Sequence, residues 1–282
     1  MKDDAVNING AQPEPMPIQS VPPLSTVRMI GSLINGCLPA LSFILTIMAW
    51  AAAVHFLHIP KYLLPAPESV VTEIFKSSDA LWRHGVVTLQ EIFLGFCFTI
   101  VSAIPLGLLI ALSPTAKRMV YPMLVFIQLV PKIAIAPLFI VWVGFGMESK
   151  VLLTVMMTFF PLLIASIAGF QILDQRYLYL TKSMGAGVWQ TFYCLRLPAA
   201  LPVIFAGLKT SATIAATAAI VAEFVGSNRG LGYLLLQGTA NLDTPLVFAI
   251  LAILTLIGLA LNYFVELAEY LMTPWRRNRR QA

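Results

Sequence analysis

Six stretches of this chain are long, apolar and almost free of charge: 38–57, 92–112, 119–147, 151–173, 197–222 and 244–265. Four contain no Asp, Glu, Lys or Arg, and the other two hold one lysine each, Lys132 and Lys209. A helix needs roughly 20 apolar residues to cross the hydrocarbon of a bilayer. Each stretch meets that length, so the pattern predicts an all-α polytopic membrane protein with six transmembrane helices. A transmembrane barrel alternates apolar and polar residues over segments of about ten, and none of the stretches does. Only 11% of the 282 residues are charged, against roughly 25% in an average soluble domain. The composition excludes a disordered chain and a single soluble domain.

Charge orients the spans. The net charge of +5 is concentrated at the end of the chain, in Arg276, Arg277, Arg279 and Arg280. A basic tail after a last apolar helix reads as a cytoplasmic anchor, not as a nucleic-acid surface. With the N-terminus inside, cytoplasmic segments hold eleven Lys and Arg and outer segments hold five. That bias predicts both termini in the cytoplasm. The expected organisation is a flexible tail over 1–36, a six-helix domain over 37–272 and a basic tail over 273–282; prolines 13, 15, 17, 22 and 23 mark the first tail. In the outer loop 58–85, apolar positions 70, 71, 74 and 75 predict a short amphipathic helix at the interface. Residues 226–232 read as a loop.

Chemistry-bearing groups are sparse. Cys37, Cys97 and Cys194 lie far apart with no CxxC, and His55, His58 and His84 lack further ligands for a metal site. No nucleophile–base pair, carboxylate dyad or glycine-rich phosphate loop stands out, so neither an enzyme site nor a cofactor or metal is expected.

The inner loop 174–198 is the informative segment. It reads as two short helices meeting at Gly185-Ala186-Gly187, where glycine permits the positive φ of a sharp turn. Leu178, Thr181 and Met184 fall on one side of the first helix, and Trp189, Phe192 and Leu195 on one side of the second. Pro198 suits the first turn of the following span. Aromatic and methionine side chains on an aqueous loop point to a surface that docks a partner.

Gly185, nine residues, Leu195, one residue and Leu197-Pro198 match the G-x9-I-x-L-P part of the EAA loop. On that spacing the chain resembles the membrane subunits of binding-protein-dependent ABC importers. Further similarity lies in Leu64-Pro65-Ala66-Pro67, in Val130-Pro131-Lys132-Ile133-Ala134-Ile135-Ala136-Pro137-Leu138 and in Trp142-Val143-Gly144-Phe145-Gly146. It continues in Ala222-Glu223-Phe224-Val225-Gly226, Gly230-Leu231-Gly232 and Asp243-Thr244-Pro245-Leu246-Val247-Phe248, which resemble the nitrate, sulfonate and taurine permease branch.

The resemblance implies a MetI-like helical bundle in a bacterial inner membrane. It implies cytoplasmic ABC ATPase subunits, an extracytoplasmic solute-binding protein and a second permease copy as partners. ATP hydrolysis then belongs to a separate chain, which agrees with the absence of a G-x-x-x-x-G-K-[ST] match here. Coupling to the ATPase falls on Tyr179, Leu180, Thr181, Met184, Gly185, Ala186, Gly187, Trp189, Phe192, Leu195, Leu197 and Pro198. Tyr179-Leu180-Thr181 stand where the family pattern has Glu-Ala-Ala, so the family glutamate's contact does not carry over. The implied solute is a small anion of the sulfonate, taurine or nitrate type; a pyrimidine-type vitamin precursor is the alternative.

Within the spans, Lys132, Ser211, Ala215 and Glu223 are the candidates for the translocation path. A lysine near a span centre costs about 2.5–3.5 kcal/mol on insertion scales. Two readings of Lys132 stand open: it lines a polar path, or it pairs with a carbonyl or with Glu91 or Glu223. Lys209 reads as snorkelling to the inner face. Ser211, Ala212, Ala215, Ala216, Ala219 and Ala222 form a small-residue face suited to close helix packing, within the chain or against a second copy. A secondary transporter would bury more ionisable groups near the midplane, and a membrane scaffold would use 174–196 as its interface.

Overall fold

Pro131 does more to shape this fold than any other proline. It has no N–H to donate, and it drives Val130 into extended backbone (φ −62°, ψ 130°). The stretch 119–147, read from sequence as one span, is therefore two helices meeting at 91°: α4, Pro114–Leu129, and α5, Lys132–Val143. Pro105, Pro137, Pro161 and Pro202 lie inside helices that continue through them.

This computed structural model describes residues 24–276, and among these every regular element is helical. The expectations for 1–23 and 277–282 lie outside the described residues. Helix α1, Leu24–Phe56, belongs for most of its length to a separate unit and carries the apolar segment Leu41–Phe56. It starts within residues read as tail.

The second unit begins at Val54. It contains α2, Pro67–Lys76; α3, Ser78–Leu112; α4 and α5; α6, Met147–Phe170; α7, Gln175–Ser183; and α8, Val188–Thr191. A π-helical turn, Phe192–Arg196, follows, then α9, Leu197–Gly226; α10, Leu231–Ala240; and α11, Thr244–Met272. Among the described residues, four helical runs are long and apolar enough to cross a membrane, or five if the bent α4–α5 pair counts as one span, against the six read from sequence.

Two boundaries differ from the sequence reading. Helix α3 starts at Ser78, inside the segment read as outer loop, because Leu81 and Thr88 are buried in this early part. Helix α10 occupies residues expected to connect spans directly; its Leu231 and Leu234 pack with Leu81, Ile250 and Leu254. The short amphipathic helix expected there is present as α2, with Val70 and Ile74 turned inward and Val71 and Phe75 exposed.

Helix α6 packs along both α3 and α9, and their seam is the core. Ile92, Phe96, Leu162, Leu163, Ile167 and Ile204 fill it. Lipid tails are as apolar as these side chains, so close packing and interhelical hydrogen bonds hold such a seam. Small residues permit the approach: Ala212, Ala215 and Ala219 are fully buried. A hydroxyl relay crosses the seam. Thr158 donates to Thr154 O at 2.7 Å, Thr99 and Thr158 hydroxyls lie 2.6 Å apart, and Ser211 donates to Thr158 O at 3.0 Å.

Candidate functional site

The loop 174–198 is built by local chemistry. Asp174 caps α7 by accepting from Arg176 N at 3.0 Å. The helix stops at Gly185, whose φ is +76°. Ala186 N donates back to Thr181 O at 3.0 Å and Gly185 N to Lys182 O at 3.1 Å. These two bonds are the pattern of a Schellman C-cap, which satisfies the last carbonyls of a helix. Gly187 N donates to Gln190 Oε1 at 3.0 Å and opens α8.

From there the backbone does not pause. Helix α8, the π-helical turn and α9 form one continuous helical run, Val188–Gly226. The sequence reading separated the second loop helix from the next span. Pro198 lies at the N-terminal end of α9, where the preceding helical turns already lead into it. Trp189 therefore stands on the same rod that carries Glu223, which lies ~39 Å beyond Leu197 at about 1.5 Å per residue.

The outward face differs from the one expected. Leu178 and Thr181 are half-buried and, with Leu108 and Leu112 at the end of α3, line an apolar groove of about 690 Å³. Phe192 is half-buried and stacks on Phe170 at 6.4 Å, and Leu195 is also half-buried. The exposed apolar face keeps Met184 and Trp189, with Tyr179 and Leu180 of the expected coupling set, and adds Val188 and Tyr193. Val188 is the most open at 86%. Trp189 and Tyr193 stack at 6.0 Å. Val188 and Tyr193 were missed because a short amphipathic segment can be rotated several ways, and the stacking of Phe192 on Phe170 of α6 selects one.

The candidates inside the spans separate. Lys132 opens α5 just past the Pro131 break, where Nζ donates to Gln128 O at 3.0 Å and sits 5.3 Å over the Phe160 ring. The carbonyl partner is thus found and the carboxylate partners are not. The last carbonyls of α4 have no helical donor, and the lysine supplies one. Ser211 and Ala215 are fully buried between α9 and α6, so they face a helix rather than an open path. Lys209 pairs with Glu269 of α11 at 2.7 Å instead of reaching freely to an interface.

Glu91 and Glu223, 132 positions apart in the chain, come together. Glu91 pairs with Lys150 of α6 at 2.9 Å, and Glu223 accepts from Thr88 Oγ1 at 2.6 Å and from Gly232 N. This is a carboxylate dyad that no local signal announces.

A seam of apolar helices with one outward amphipathic loop defines a multi-pass membrane protein. The family described as binding-protein-dependent transport system inner membrane component matches residues 103–278. The chain belongs to that family. It is 36% identical to the formylaminopyrimidine transport permease protein of Halalkalibacterium halodurans over 85% of this chain and 96% of that one. It is 30% identical to the taurine transport system permease protein of Escherichia coli, over 83% and 87%. Its fold is similar to a chain of the methionine ABC transporter MetNI in inward-facing crystals, with TM-score 0.53 and 18% identity over 69% of this chain and 97% of that chain. The chain is accordingly the membrane-embedded, non-enzymatic permease component of an ABC transporter in the inner membrane, and ATP hydrolysis resides on another chain. Membership of the family implies ATPase and binding-protein partners in general.

Proposed function

We propose that this permease imports a small heteroaromatic solute of the formylaminopyrimidine type, handed over by an extracytoplasmic binding protein. The observation that carries this reading is the 36% identity to the formylaminopyrimidine permease, over nearly the whole of both chains. The second reading is a sulfonate such as taurine, favoured by the taurine relative. Lys132 lends that anion weaker support than its sequence position promised, since its ammonium is engaged by Gln128 O and Phe160. Nitrate has neither kind of support.

The exposed loop face docks the ATPase, with Tyr179 in place of the family glutamate and Trp189 and Tyr193 as its aromatic anchors. Nucleotide-driven closure of two ATPases then rocks the bundle between inward- and outward-facing states. Each chain supplies one docking loop, so the functional unit contains two copies. Both termini and the loop are cytoplasmic, in line with eleven inner against five outer basic residues.

The test is ATPase stimulation of the reconstituted complex by its cognate binding protein, loaded in turn with a formylaminopyrimidine and with taurine. Stimulation by the pyrimidine-loaded protein alone is the expected result. Stimulation by taurine alone moves the assignment to the second reading. Native mass measurement decides copy number, and a single copy with no second permease refutes the dimer.

A further inference from the structure

The Glu91–Glu223 dyad sits in a site built for it. Gly230, at φ +107°, and Gly232 leave the slot that the Glu223 carboxyl fills; a Cβ on Gly232 would lie 2.8 Å from Glu223 Oε2. Thr88 joins the two sides, donating to Glu223 at 2.6 Å while accepting from Leu231 N at 2.8 Å. Both glutamates are fully buried, and their side chains lie within hydrogen-bonding reach of each other.

The charges do not balance. Two carboxylates face one ammonium, Lys150, which reaches Glu91 Oε1. Glu91 Oε2 is buried with no donor at all. His84 Nδ1 is engaged by the Gly230 backbone, 3.0 Å from its N and 3.1 Å from its O, and pairs with neither carboxylate. Tyr233 of α10 stacks on His84, and Arg83 and Arg229 act on His84. Glu148 begins α6 near Gly146, and the Glu73 carboxylate of α2 is already taken by Lys76. The α5 and α11 residues in these clusters, Ala136 with Phe139 and Ile250 with Leu254, are apolar. An unpaired carboxylate in such a place is expensive, and two carboxyl oxygens in contact repel unless a hydrogen lies between them.

We infer that Glu91 and Glu223 hold one proton between them, and that this bound proton completes a neutral clasp joining α3, α6 and α9 at the end of the bundle remote from the docking loop. The clasp makes the three helices one body. Force applied at Trp189 then moves the far end of α9 together with α3 and α6, instead of peeling α9 away. The inference does not depend on which solute is carried.

The test is infrared spectroscopy of the full-length chain in lipid nanodiscs, with Glu223→Gln and Glu91→Gln beside it. In either variant the amide N–H supplies the missing donor, and one carboxylate remains to balance the one ammonium of Lys150. Wild-type protein at neutral pH should show the carbonyl band of a protonated carboxyl, and each variant should lose it. A proton held only by the folded state makes stability fall as pH rises above the ordinary carboxylate range. The wild-type thermal midpoint should therefore drop on alkalinisation as the band disappears. Absence of the band in wild type, as a sodium ion bridging two ionised carboxylates would produce, overturns the inference. So does a band undiminished in both folded variants. If neither variant folds, a wild-type band that vanishes without any fall in midpoint overturns it as well.

Discussion

Replacing Gly185 tests whether the docking turn is held by backbone conformation. Gly185 sits at φ +76°, and a Cβ built there meets nothing within 4 Å. Steric surroundings within the chain therefore contribute nothing, and the penalty is local. Alanine in the left-handed region costs about 1–2 kcal/mol, or roughly 5–30-fold in the population of the turn. Valine, β-branched, belongs at the upper end of the 1–3 kcal/mol range for such residues, on the order of 100-fold. Asparagine tolerates this region and should cost least although it is larger than alanine. The expected order of function is Gly, Asn, Ala, Val. The assay is retention of the ATPase on purified permease, followed by transport-coupled ATP hydrolysis at limiting ATPase concentration. Insertion in the membrane and thermal stability should stay near wild type, because α7 and α8 lie outside the α3–α6–α9 seam. An order that follows side-chain size, with Asn worse than Ala, would mean that bulk at the interface matters and the φ argument fails. Equal activity of Val and Gly would remove the turn from the mechanism.

Three further outcomes are expected. Cysteines at 211 and 158 should cross-link within one chain, since Ser211 bonds to Thr158 O at 3.0 Å; a dimer formed through position 211 would show that the small face of α9 is an intersubunit surface instead. A double-mutant cycle of Lys209→Met and Glu269→Gln should give a coupling of about 1 kcal/mol in thermal unfolding, more than a typical exposed pair, because the side chains are only 33% and 16% exposed; zero coupling would leave the 2.7 Å contact without energetic meaning. The Ser77 hydroxyl, donating at 2.6 Å, together with Lys76, holds the Glu73 carboxyl below its usual range. Its contribution to stability is therefore present above the ordinary carboxylate value and lost as pH falls through the lowered one. Ser77→Ala should bring the Glu73 titration closer to the ordinary value, read by NMR of the labelled carboxyl; an unmoved titration would assign the effect to Lys76 alone.

The helices of this protein were legible because a bilayer makes the requirement local. Each backbone group must be satisfied within its own segment, so an apolar run near 20 residues is a helix whatever surrounds it. The docking turn was legible for a similar reason. Gly185 caps a helix through bonds to Thr181 and Lys182, only a few residues away. Even the break at Pro131 had its cause in sequence, the constraint proline places on Val130, although sequence could not say that this proline breaks its helix while Pro105 and Pro161 do not.

Tertiary structure decided everything that depends on which helices meet. Ser211 and Ala215 carry the same small-residue signal whether they face α6 or another copy, and only the packing of α9 on α6 answers it. The same holds for Lys209 with Glu269, for Lys150 with Glu91, and for the exposure of Val188 and Tyr193 where Leu178 and Thr181 are half-buried. Glu91 and Glu223 belong to helices that are not neighbours in sequence, and they come together because α3, α9 and the start of α10 converge. A single sequence records each residue's chemistry and its near neighbours; the pairing of distant charges follows from how whole helices pack, which is a collective property of many small contacts.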